Sequence, residues 1–414
     1  MSDVLERFIR YVQVDSQSDP LNEHETPSTA RQHDMARLLY NELRELGCED
    51  VRIDEHAYVT AGLPASKDCD DLPPLGLIAH VDSAPDAPGA DVKPHVVHYE
   101  GGNLVHGVVN GESIETSPGQ VPDLELFVGQ DIVCSDGTTL LAADDKAGVA
   151  EIMALLARLK ADKSLVHPEI RVAFVPDEEI GHGASLLNLN EFGATWAYTV
   201  DGEYLGQFSY ECFNAADAVV ATKGNNHHPG SGKDILVNAL ELLHEFHAQL
   251  PKEEKPEYTD GYEGFFHLHT MEGSVGQASA YYILRDFSSE GMERRKQAMR
   301  DAAQAINERH GEGSVELKIE DEYRNMAEQF GDAQFLIDNA LEANRRAGIE
   351  PVVEAIRGGT DGAQLTFRGL PCPNLATGGY NFHSVREFIP VTNLERTVDM
   401  LVELVALFAQ PQRS

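Results

Sequence analysis

Positive charge is scarce in this chain: 32 Lys and Arg stand against 69 Asp and Glu, for a formal net charge of −37. Such a charge balance repels phosphate backbones and anionic lipid headgroups, so no nucleic-acid partner and no membrane partner is expected. Cysteine is scarce too. Its five copies (Cys48, Cys69, Cys134, Cys212, Cys372) are odd in number, far apart and free of the C-x-x-C spacing of zinc knuckles and redox pairs. They read as reduced, mostly buried thiols. Long apolar runs are also missing. The most apolar stretch, 147–159, is broken by Glu151 and Arg158, and a membrane-spanning helix needs ~18 or more apolar residues in a row. The opening MSDVLERFIRYVQV has neither the apolar core nor the cleavage site of a secretory signal. A soluble, cytoplasmic protein is expected.

The 414 residues, 42% of them apolar, suggest two or three domains with a sizeable core. The excess acid reads chiefly as solvated surface. In the first half, helical patterns alternate with short, largely apolar runs at 75–79 (LGLIA), 170–175 (IRVAFV) and 196–200 (WAYTV). That alternation predicts an α/β layer with a mixed, largely parallel sheet and flanking helices. Residues 146–159 carry apolar side chains at spacings of three and four, the pattern of an amphipathic helix.

The rhythm changes near 215. Strands are predicted at 218–222, 264–269, 279–287 and 314–320, with helices at 231–250 and 290–310. This β-α-β-β-α-β order is the ferredoxin-like one, so 213–325 is expected to form an inserted lid and dimerisation domain. Residues 1–212 and 326–414 then make up the main domain. Its final part should hold a helix at 333–347, a glycine-rich turn at 357–362, a loop at 381–384 and a closing helix at 394–408.

Several apolar runs end on acids. His80 and Asp82 follow the first strand and, two residues apart on extended chain, face the same side. A carboxylate there can orient a metal-binding imidazole. Asp144 and Asp145 stand where a short apolar segment gives way to a helix, a place that suits helix capping and also a bridging metal ligand. Asp177, Glu178 and Glu179 come directly after a buried strand, where three adjacent carboxylates raise one another's pKa unless something positive lies among them. Asp201 closes a third strand, and His383 lies in a distant loop. Two histidines and three acids, with Glu178 left over, fit the donor needs of a two-metal hydrolase, and of two adjacent glutamates one can bind metal while the other is free to work as a general base.

The segments LIAHVDSAPD, LLAADDKAGVAEIM, VPDEEIGHG, TVDGE, KGNNHHPG, YYILRDF, IRGGTDGA and NFHSVREF occur in this order along the chain. Together they resemble the co-catalytic di-zinc exopeptidase family that includes aminoacylases and carboxypeptidases, and within it a branch that cleaves tripeptides at the N-terminal bond. The resemblance implies two Zn2+ per chain, one held by His80, Asp144 and Asp201 and the other by Asp144, Glu179 and His383. It also implies a cis peptide between Asp144 and Asp145. Asp82 would orient His80, and Glu178 would be the catalytic base. His228 in the lid would stabilise the oxyanion, Arg285 and Arg357 would hold the substrate carboxylate, and the chain would be a homodimer. Ala142 stands where this motif usually has glycine, which bears on the backbone leading into Asp144.

Mn2+ or Co2+ would suit the same donors. Two other readings stay open. One is a deacylase, amidohydrolase or dipeptidase of the same family, since the metal motifs are shared. The other is a non-catalytic metal-binding protein, against which an unligated Glu178 argues. The run Gly358, Gly359, Thr360, Asp361, Gly362 lacks the lysine and the spacing of a phosphate-binding loop.

Overall fold

The apolar runs become strands buried on both faces. Ile170–Val175 and Leu75–His80 are buried along their whole length, as strands covered by helices on both sides must be. The computed structural model describes residues 1–22 and 24–410. Among these, the chain divides into two units: Met1–Tyr210 with Gln329–Glu354 and Thr360–Ser414, and Glu211–Glu328 with Ala355–Gly359.

The first unit is built on an eight-stranded mixed sheet. Its strands run in the order Glu49–Ile53, Val59–Leu63, Ile170–Val175, Leu75–His80, Trp196–Gly202, Asn374–Ala376, Gln207–Ser209 and Val352–Val353. Ile170–Val175, Leu75–His80 and Trp196–Gly202 are neighbours and parallel, with His80 beside Val175 and Ile78 beside Thr199. Their C-terminal ends therefore lie side by side, which is where open α/β sheets carry their sites.

The predicted helix spans Ala143–Ala161 and is buried almost all round. It packs against helices Asp3–Val12 and Val391–Phe408 and against the central strands. Gly148 permits this approach: a Cβ there would stand 1.9 Å from the Val200 carbonyl oxygen. A second apolar cluster includes Ile78, Ala173, Val175 and Ala197 from the strands, packed with Phe192, Leu365 and Cys372. All five cysteines are free thiols, and all but Cys48 are buried.

The second unit is a four-stranded antiparallel sheet ordered Phe265–Gly273, Gln277–Asp286, Asn214–Lys223 and Val315–Tyr323. Helices Ala239–Gln249 and Ser289–His310 supply one side of its core through Leu242, Phe246, Met299 and Ile306. The helix expected at 231–250 begins only at Ala239. Before it, Asn225 and Val237 exchange backbone hydrogen bonds at 2.8 and 3.1 Å, which holds that stretch extended. Asn238 then caps the helix by accepting from the Leu240 N–H.

Ala355–Gly359 groups with this unit and not, as expected, with the main one. The cause is Arg357, whose guanidinium donates to the Gly261, Glu263 and Thr259 carbonyls and rests over the Phe213 ring.

Candidate metal centre

Five donors from distant parts of the chain meet at the C-terminal edge of the three parallel strands. His80 ends one strand, Asp201 lies near the end of the next, and Glu179 follows the third in a short 3-10 turn, Glu178–Ile180. Asp144 stands in the first turn of Ala143–Ala161, where it and Asp145 depart from helical dihedrals and are joined by a cis peptide. His383 comes from the loop before strand Phe388–Pro390.

The Nε2 atom of His80 is 3.0 Å from Asp144 Oδ1 and 3.3 Å from Asp201 Oδ1. On the other side, His383 Nε2 is 3.2 Å from Asp144 Oδ2 and 3.0 Å from Glu179 Oε2. Asp144 thus turns one oxygen to each imidazole. The ligand atoms around one tetrahedral zinc, each at ~2.0–2.1 Å from it, would be separated by about 3.3 Å, close to these spacings.

Further contacts hold the donors in place. Asp82 Oδ1 lies 3.3 Å from His80 Nδ1. The two Asp82 oxygens also accept the Glu178 and Glu179 N–H groups, at 3.1 and 3.2 Å. One buried carboxylate thereby steadies both an imidazole and the turn that carries the two glutamates.

Asp177 departs from the expectation for three crowded acids. At φ 57° it turns its carboxylate away from the cluster and accepts from Ser28 N–H at 2.7 Å, Ser28 Oγ at 2.6 Å and Gln32 Nε2 at 2.6 Å. Neutral donors, not a cation, satisfy it.

Burial and mutual repulsion govern the electrostatics. Burial, reinforced by Asp144, pushes Glu179 up to about 8, and burial pushes Asp201 up to about 6 against the pull of His80. Glu178 is held well above the ordinary glutamate value by burial and then by Asp201 and Asp361. Hydrogen bonds to Asp144 and Glu179 raise His383 to about 11. Burial would lower His80, yet Asp201, Asp144 and Asp82 outweigh it and raise the imidazole. Acids outnumber bases here, and the cluster calls for positive charge.

The donors present fit divalent cations. Glu179 Oε1 is buried with no hydrogen-bond partner, an arrangement whose cost a bound cation would remove. Imidazole and carboxylate together suit zinc and its neighbours among the transition metals. Among the described residues, the groupings compact enough to hold an ion are His80 with Asp144 and Glu179, and His80 with Asp145 and Asp201. The sequence places Asp145 beside Asp144, and the resemblance assigns it no metal. Its carboxylate accepts the His80 and Gly148 N–H groups, both at 3.1 Å, so it braces the strand end against the helix start.

Sequence reasoning missed Asp86 and Glu387. Asp86 Oδ2 lies 3.2 Å from His383 Nδ1, the counterpart of Asp82 beside His80. Its place in HVDSAPD, four residues beyond Asp82, was the available signal. Glu387 is buried behind Asp144 and follows His383 by four residues.

The remaining candidates lie in the second unit. His228 is exposed and accepts the Gly230 N–H at 3.1 Å. Arg285 lies 3.4 Å from Glu322 and 3.7 Å from Asp217, over the Tyr323 ring. Arg357 is engaged as described above. All three have partners within their own unit, so their link to a substrate rests on the resemblance.

Comparison with known proteins bears on the whole chain. Residues 142–407 match the model of peptidase family M20/M25/M40. Peptidase T of Geobacillus kaustophilus is 46% identical over 409 residues, 99% of this chain and 98% of that one. Peptidase T of Aliivibrio fischeri is 46% identical over 409 residues, 99% of each chain. Among solved structures, an aminopeptidase from Bacillus cereus shares the fold with a TM-score of 0.77 at 23% identity, covering 99% of this chain and 98% of that one. A dinuclear metal-binding M20 peptidase from Bacillus subtilis shares it with a TM-score of 0.66 at 15% identity, covering 98% of this chain and 97% of that one.

Proposed function

Since the chain belongs to peptidase family M20/M25/M40, we propose that it is a metal-dependent aminopeptidase that releases the N-terminal residue of tripeptides. The observation that carries this reading is the convergence of His80, Asp144, Glu179, Asp201 and His383 within 3.0–3.3 Å contacts, with Glu178 beside them and outside those contacts. Its relatives called Peptidase T, at 44–46% identity, support the substrate class.

His80, Asp144 and Asp201 would hold one Zn2+, and Asp144, Glu179 and His383 a second, with Mn2+ or Co2+ suited to the same donors. When bound, such a pair supplies Lewis acidity that lowers the pKa of water toward ~7 and polarises a carbonyl. Asp82 keeps the His80 ring in one orientation. Glu178, raised by burial, accepts the proton of the attacking water and returns it to the departing amine, the task of a base tuned toward neutrality. His228 would stabilise the oxyanion, from the neighbouring protomer if the chain is a homodimer. Arg285 and Arg357 would exchange present partners for the peptide's C-terminal carboxylate, which a planar guanidinium binds with two parallel hydrogen bonds. A guanidinium that must hold the peptide's C-terminal carboxylate during cleavage would select tripeptides over longer chains.

No helix among the described residues is long and apolar enough to cross a membrane, and we place the activity in the cytoplasm. The deciding experiment is metal analysis of the purified protein together with a tripeptide cleavage assay before and after chelation. About two metal ions per chain and release of a free N-terminal residue that stops on chelation are expected. Undiminished cleavage after chelation would overturn the reading, and preference for an N-acylated amino acid would move the enzyme to the deacylases.

A further inference from the structure

We infer that Glu387 is a positioning residue that fixes Asp144 opposite His383 by filling a cradle of backbone N–H groups. The inference rests on the metal-centre reading proposed above. Glu387 is 1% exposed. Its Oε2 accepts the Leu141 and Ala142 N–H groups, both at 2.7 Å, and its Oε1 accepts the Asp144 N–H at 3.0 Å. Neighbouring N–H groups point to one side where a left-handed residue interrupts the chain, and the resulting concavity binds anions. Ala142 is that residue, at φ 61° and ψ 38°.

A carboxylate offers only acceptors and matches these donors. An amide in its place would turn an NH2 against at least one N–H.

The placement links two ligand segments that are far apart in sequence. Glu387 follows His383 by four residues, and its side chain grips the backbone that delivers Asp144. His383 and Asp144 themselves meet at 3.2 Å. Alanine adopts left-handed dihedrals reluctantly, so the hydrogen bonds that Glu387 accepts also hold a turn that glycine would take unaided. Loss of the clasp frees Asp144 to drift from the imidazole, and groups that orient metal ligands from behind are worth about 10- to 100-fold in metal affinity.

The test uses full-length protein stripped of metal and titrated with Co2+, read by calorimetry and by the visible absorption of the bound ion. Glu387→Gln should weaken Co2+ binding by about 10- to 100-fold and alter the spectrum while far-UV circular dichroism stays unchanged. Adding Ala142→Gly to that variant should recover part of the affinity, a rescue that a residue needed only for packing would not show. Wild-type affinity and spectrum in Glu387→Gln would overturn the inference. Should that variant not fold, Glu387→Asp keeps the charge with a shorter reach; reduced Co2+ affinity supports the clasp and wild-type affinity overturns it. A wild-type chain that binds no Co2+ at all would instead overturn the metal-centre reading, so the two failures are distinct.

Discussion

Arg295 in the second unit is 3% exposed, and its guanidinium meets the nearly buried Asp286 and, at 2.7 Å, Glu254. In the first unit, Glu179 is set about as deeply, while the Asp144 and Asp201 side chains keep 13% and 12% exposure, and among the described residues the basic groups in contact with all three are the imidazoles of His80 and His383. Both places put charge out of water, which costs several kcal/mol per ion unless partners compensate. Around Arg295 the protein supplies its own counter-charge. Each place leaves one buried atom unpartnered, Arg295 Nε in the one and Glu179 Oε1 in the other, but at the strand ends no guanidinium or ammonium among the described residues pairs with the acids. A buried acid that meets a guanidinium is held by the protein's own cation, and a cluster whose acids meet only imidazoles is a place for a bound one.

The largest effect should come from the acid that binds nothing. Glu178→Gln is expected to lower kcat by about 10²- to 10⁴-fold while metal content stays that of wild type. Steady-state kinetics with metal analysis checks it, and retained turnover would mean that the surplus of acid is not chemical.

Arg295→Ala sharpens the contrast from the other side. It leaves Asp286 buried without its guanidinium, and breaking a buried pair in this way costs about 3–5 kcal/mol. Urea unfolding should show that loss with Co2+ affinity unchanged. A shift in affinity would break the separation of the two clusters.

The pH dependence of the metal-free protein tests the surplus directly. Glu179 is raised from 4.5 to about 8 and Asp201 from 3.8 to about 6, so between those limits the folded chain holds protons that the unfolded chain has lost. His383, raised from 6.5 to about 11, acts with the same sign. Stability of the metal-free form should therefore fall as pH rises from about 5 to about 8. A cation at 100 times its Kd should return roughly 2.7 kcal/mol per site and flatten the slope. Thermal melts with and without Co2+ decide it, and a metal-free form that gains stability over that range would contradict the assignment.

The smallest effect concerns the surface. With a net charge of −37, raising NaCl from about 0.1 to about 1 M shortens the screening length from ~10 to ~3 Å and should raise the melting temperature slightly by weakening self-repulsion. A lower melting temperature in high salt would count against self-repulsion.

Much of this centre was legible before any coordinates. His80 and Asp82 could be placed on one side of a strand end because extended chain alternates with period two, and acids after apolar runs marked the edges of parallel strands. The sequence groups Asp177 with Glu178 and Glu179 as one acidic run, but its left-handed backbone sends its carboxylate to Ser28 and Gln32. Asp86 and Glu387 were passed over because their partners, His383 and the 141–144 backbone, are remote in sequence. The late start of the helix at Ala239 has the same origin, a backbone pairing between Asn225 and Val237 that no local pattern announces.

The order of residues alone determined which side chains could serve as donors and which strand ends would carry them, because periodicity and burial act over a few neighbouring positions. Tertiary structure decided which carboxylates face the imidazoles, which turn away and which brace the backbone behind them. Those choices depend on single dihedral angles and on hydrogen bonds between segments hundreds of residues apart, such as the one from Asp144 to Glu387, and only the folded chain brings such atoms within reach of one another.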